Sequence, residues 1–126
     1  MLYEKLSEKT IDEIDLALRD SAGRHQFGVL HVHDLRQAMK NKGIDYHRQC
    51  FVFEVCNPRH AKRVLESDPA VSSLLPCRIS VYETSDGLML STILPSAMMS
   101  MFSDPEIRLV AGEVEETLKS IIDESA

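Results

Sequence analysis

The 126-residue chain has no tryptophan, only three cysteines and five glycines, and aromatic residues make up just 6% of it. Three cysteines are a sparse and odd set. That excludes a disulfide framework and fits a reducing cytosol, so the expected location is cytoplasmic. Gly23, Gly28, Gly43, Gly87 and Gly112 are scattered, so no phosphate-cradling loop exists. No apolar run approaches the roughly 18 residues of a membrane-spanning helix. The opening Met1-Leu2-Tyr3-Glu4-Lys5 lacks the apolar centre of an export signal. Positive charge is scarce too. Fourteen Lys/Arg against 20 Asp/Glu leave a net charge of −6, which argues against a general nucleic-acid binder.

What is present describes a single domain over residues 1–126. A hydrophobic fraction of 44% suits one core without staples. The charge is unevenly spread. Residues 31–63 hold seven Lys/Arg and three Asp/Glu, while residues 104–126 hold seven acids and two bases. Two such segments can attract within one chain or across a dimer, or can simply be solvated helix faces.

The periodicity predicts an alternating order of elements. Leu2 to Leu6 reads as a short strand. Thr10-Ile11-Asp12-Glu13 has the capping-box spacing and opens a helix with Ile11, Ile14 and Leu18 on its buried stripe. Phe27 to His33 reads as a strand, and Asp34 caps a short helix that stops at Gly43. Cys50 to Cys56 alternates clearly. Phe51, Phe53 and Val55 share one face; Cys50, Val52, Glu54 and Cys56 share the other. Asn57 caps the next helix and Pro58 takes its first position, where a missing N–H costs nothing. Cys77 to Thr84 and Leu88 to Leu94 flank Ser85-Asp86-Gly87, a hairpin signal. A short Met-rich segment follows, Pro95 to Phe102. The last helix carries Ile107, Val110, Ala111, Val114, Leu118 and Ile121.

The fold expected is α+β, in the order β-α-β-α-β-α-β-β-α. Helices cover one face of a mainly antiparallel sheet of about five strands. The other face would carry Cys50, Val52, Glu54 and Cys56 with Arg78, Ser80 and Tyr82. That mixture suits a dimer interface or a ligand floor, so a homodimer is expected.

The run Val55-Cys56-Asn57-Pro58-Arg59-His60-Ala61, with Leu65, Leu74-Leu75-Pro76-Cys77, Val81-Tyr82-Glu83 and Asp86-Gly87, resembles domain-of-unknown-function family 302. Phe27-Gly28-Val29-Leu30 and Asp34-Leu35 fit the same pattern, and the similarity covers roughly residues 10–122. The resemblance implies an α+β fold grouped with TATA-binding-protein-like architectures, and a tendency to dimerise. It implies no reaction. In the second strand, where that pattern carries glutamate or another polar residue, this chain has His31 and His33.

The candidate site consists of Cys56, Asn57, Cys77, Arg78 and Glu54. Cys56 lies just before a helix N-terminus, where free amides and the helix dipole favour a thiolate. It would then be the most reactive of the three thiols. Burial acts in the opposite direction, and both cysteines also read as small buried hydrophobes. Strand parity sets Cys77 with Ile79 and Val81, so Cys56 and Cys77 are expected on different sides of the sheet. Glu54, a strand-interior carboxylate, needs a partner, and Arg78 is the best placed. His31 and His33 share a face, and with Met89, Met98, Met99 and Met101 they invite a copper reading. No CxxC, HxxxH or other fixed ligand spacing supports it, so no metal and no cofactor is expected.

Three functions follow. The first is a cytosolic homodimer that binds a small molecule or responds to redox state through Cys56. The second is a structural or protein-interaction domain whose open face is a subunit interface. The third is a thiol- or metal-dependent enzyme. The reading leans away from an enzyme, and away from nucleic acid or membrane as partners.

Overall fold

A computed structural model describes residues 1–126. Five strands form one antiparallel sheet: β1 (Leu2–Ser7), β2 (Gly28–Asp34), β3 (Cys50–Cys56), β4 (Cys77–Thr84) and β5 (Gly87–Ile93), in the spatial order β1-β5-β4-β3-β2. The helices are α1 (Ile11–Arg24), α2 (Leu35–Lys40), α3 (Pro58–Ser67), the single-turn α4 (Pro95–Met98) and α5 (Pro105–Ser125). Short 3-10 segments cover Pro69–Leu74 and Met99–Met101. The α+β class and the order of elements are as the periodicity predicts. No helix is long and apolar enough to cross a membrane.

Local chemistry explains the boundaries. Thr10 and Glu13 form the full capping box: the Glu13 N–H donates to Thr10 Oγ1 at 3.3 Å and the Thr10 N–H to Glu13 Oε1 at 3.0 Å. Asn57 Oδ1 accepts from the Arg59 N–H at 2.9 Å and the His60 N–H at 3.2 Å, with Pro58 in the first turn. The hairpin closes on Thr84 and Gly87, which pair across the turn. Gly87 has φ of 138°, and a Cβ there would stand 2.5 Å from the Ser7 carbonyl oxygen, so only glycine fits.

The core lies between the sheet and the helices α1, α3 and α5. Phe53, Val55, Ile79 and Val81 are fully or almost fully buried, as are Ile14, Leu18, Val114 and Leu118. The strand parity read from the sequence therefore places the core residues on the helix-covered face. Phe51 is half-buried against the same cluster. The short α2 buries none of its residues.

The opposite face is open. Leu2, Leu6 and Ile93 are exposed there, and Glu4 accepts a hydrogen bond from Tyr82 Oη at 2.6 Å. On the covered side, Arg63 of α3 pairs with Glu106 and Glu113 of α5, each at 2.8 Å. The basic and acidic segments thus attract within the chain at this point. Arg36, Lys40, Lys42 and Arg48, all in the basic segment, form no ion pair.

Candidate functional site

The sheet contains a break in pairing. β4 pairs with β3 as far as Cys77↔Val55, and β5 pairs with β1 as far as Ile93↔Leu2. The pairs between β4 and β5, however, end at Ser80↔Ser91. Beyond that point the Thr92 hydroxyl donates to the Arg78 carbonyl at 2.7 Å, so a side chain spans a gap that ladder bonds no longer close. A cleft of about 360 Å³ opens there. From the open face it is lined by Leu2, Val52, Arg78, Ser80, Ser91 and Ile93. Leu74, Pro76, Met98 and Leu118 line it from the strand ends and the helices. Ser91 is only 5% exposed, and neither its hydroxyl nor that of Ser80 has a hydrogen-bond partner in the chain.

Arg78 stands at the rim. Its Nη2 is 3.8 Å from Glu54 Oε2, and the two residues pair directly across β3 and β4. The partner expected for Glu54 is therefore the one found, although the contact is long. Glu54 Oε1 also lies 3.3 Å from His33 Nε2, and the rings of His31 and His33 meet edge-on with centroids 4.3 Å apart. No three of the His, Cys, Asp and Glu side chains are arranged to hold a metal ion.

The thiols occupy a second space. Cys56, Asn57 and Cys77 line a narrow crevice of about 20 Å³, with Phe27, His60 and Met99 among its walls. That is room for about one water molecule. Cys56 and Cys77 thus share a crevice, although parity set them on opposite sides of the sheet. Cys56 is the last residue of β3, where alternation gives way to the helix cap.

The expected thiolate at Cys56 also needs correction. Burial pushes the Cys56 thiol up, not down. Asn57 Oδ1 also accepts from the Arg59 and His60 amides at the start of α3, so neither is left for a sulfur anion. Burial likewise raises Cys50, helped by Asp34. Cys77 is the most perturbed. Burial and the neighbouring Cys56 push it up to about 11, against a smaller lowering by Arg78. His60 Nδ1 is buried beside this crevice without a partner, while its Nε2 lies 3.5 Å from Glu113.

The fold thus brings Arg78 and Glu54 together at one site, and Cys56, Asn57 and Cys77 at another. Cys77 belongs to both walls. Sequence reading missed Ser91, Thr92 and Ile93. The available signal was the change from Leu88-Met89-Leu90 to hydroxyl residues within one apolar strand.

The family description "Domain of unknown function DUF302" matches residues 3–125, nearly the whole chain. The chain belongs to the DUF302 family. A crystal structure of an uncharacterised conserved DUF302 protein from Bacillus stearothermophilus superposes with a TM-score of 0.93 at 27% identity, over 99% of this chain and 98% of that one. An uncharacterised protein of Aquifex aeolicus (strain VF5) is 30% identical over 88 residues, which is 69% of this chain. The match spans 55% of that relative's length. The DUF302 fold is thus shared along the whole chain, and the relatives' descriptions carry no activity.

Proposed function

We propose that this chain is a binding domain for a small molecule held in the cleft where β4 and β5 part. The observation that carries this reading is a cleft of about 360 Å³ walled by mixed apolar groups and by two hydroxyls with no partner. Ligand sites have this composition: mostly apolar walls with a few polar groups to fix orientation. The thiol-centred alternative has weaker support, because burial raises all three thiols and the crevice of Cys56 and Cys77 has no room for a substrate. The test uses 8-anilinonaphthalene-1-sulfonate as probe and backbone amide shifts as readout. The expected shifts cluster at Arg78–Ser80 and Ser91–Ile93. Shifts confined to Cys56–Val64, or none at all, would reject the cleft.

A second reading has its own observation. Leu2, Leu6 and Ile93 are exposed on the open face, beside the half-buried Val52. We propose that a second copy of the chain covers this face, as in a homodimer. Sedimentation at micromolar concentration is expected to give a dimer; a clean monomer would remove the reading.

A further inference from the structure

We infer that the ligand of this cleft is a medium-length amphiphile with a single carboxylate head and an aliphatic tail. The inference rests on the reading of the cleft as a binding site and adds the chemical class.

The head group follows from Arg78. It is the only cation among the lining residues, so the cleft suits one negative charge and not a phosphate ester with two. The Arg78 side chain is 57% exposed and its one ion-pair contact is the 3.8 Å approach to Glu54. Glu54 has a second neighbour in His33, at 3.3 Å. Most of the five guanidinium donors of Arg78 therefore remain free for an incoming carboxylate, which they match in a two-pronged pair. Ser80 and Ser91 lie next along the cleft. Their hydroxyls make no hydrogen bond within the chain, and each can donate to a carboxylate oxygen in the cleft.

The tail follows from the far end. Leu74, Met98 and Leu118 supply aliphatic and thioether surface with no charge. Methionine adapts its shape to a flexible chain better than a branched residue does. A cleft of about 360 Å³ lies in the size range of small-molecule sites, and decanoate is a suitable probe for it. A single cation matches one carboxylate better than a nucleotide's phosphates, and the apolar far end suits an alkyl chain better than a free sugar.

Calorimetric titration of the full chain with decanoate, decan-1-ol and decylamine tests the class. Decanoate is expected to bind at least about tenfold more tightly than the alcohol or the amine. In Arg78→Gln that preference is expected to disappear, with decanoate falling to the level of the alcohol; Arg78→Lys, which keeps the charge, should retain part of it. If decanoate and decan-1-ol bind equally and both move the Ser80 and Ser91 amides, the carboxylate is wrong and the cleft stands. If the amine binds best, the carboxylate is likewise overturned. If no probe binds and the sulfonate probe also fails, the cleft reading falls as well.

Discussion

Cys77 separates two spaces that the fold treats in opposite ways. On the Cys56 side lies a crevice of about 20 Å³, walled by two thiols, Asn57 and His60. On the Arg78 side lies a cleft of about 360 Å³, walled by serines and aliphatic groups. The residue types that suggest chemistry sit where there is no room and where burial quenches the thiolate. The plain residues sit where the sheet opens. Reactivity at a strand end thus depends on how deeply the residue is buried as well as on which residue stands there. Space depends on where a ladder stops.

The sharpest contrast is between adjacent residues of β3. Phe53 is buried against the helices, and Val52 borders the cleft on the open face. Phe53→Ala should destabilise by about 3–5 kcal/mol, through lost transfer energy and a residual cavity. Val52→Ala should cost below about 1 kcal/mol, as partly exposed sites do. Urea denaturation measures both. Similar losses would mean that the two sides of the sheet are equally packed.

The next effect is a pH dependence. The Cys77 thiol stands at about 11 in the fold, against an ordinary value of 9.0. The folded state therefore holds the proton more tightly than the unfolded chain does. Its contribution is fully present below about pH 9 and is lost as pH rises toward 11. The loss is roughly 2–3 kcal/mol, because each tenfold gain in proton affinity on folding is worth about 1.4 kcal/mol. Denaturation midpoints between pH 8 and 11 should fall less steeply in Cys77→Ala than in the native chain. Parallel profiles would place Cys77 in contact with water.

A smaller effect separates cap from thiol. Asn57→Ala removes the acceptor of the Arg59 and His60 amides and should cost about 1 kcal/mol. The freed amides then become available to Cys56. Iodoacetamide should label Cys56 faster in this variant than in the native chain, with Cys77 slowest in both. If Cys56 labels no faster, burial alone controls it.

Much of the fold was legible because its signals are local. The Thr10–Glu13 box, the Asn57-Pro58 helix start and the Asp86-Gly87 turn each act within four residues. The alternation of Cys50 to Cys56 named the core face for the same reason. The site was less legible. Glu54 and Arg78 could be paired because they follow from strand parity. The parting of β4 and β5 could not, since it depends on β5 staying with β1 while β4 stays with β3. The crevice shared by Cys56 and Cys77 was hidden because alternation fails at the last residue of a strand.

The smallest expected effect concerns Glu54 on the open face, where Arg78 is 57% exposed and Glu54 19%. An ion pair 3.8 Å long and open to solvent gains little: water and salt screen it, and holding the long arginine chain costs entropy. Glu54→Gln keeps the shape and removes the charge. Its cost should stay below about 0.5 kcal/mol in a monomeric chain, and roughly 0.5 M salt should erase it. A cost above about 1.5 kcal/mol, insensitive to salt, would mean that this charge is desolvated, because removing one member of a buried pair strands the other. Glu54 is already mostly covered within one chain, so such desolvation comes either from its own neighbours or from a second copy over the cleft. Repeating the measurement over a range of protein concentrations separates the cases: a cost set by a covering copy falls on dilution, and one set within the chain does not.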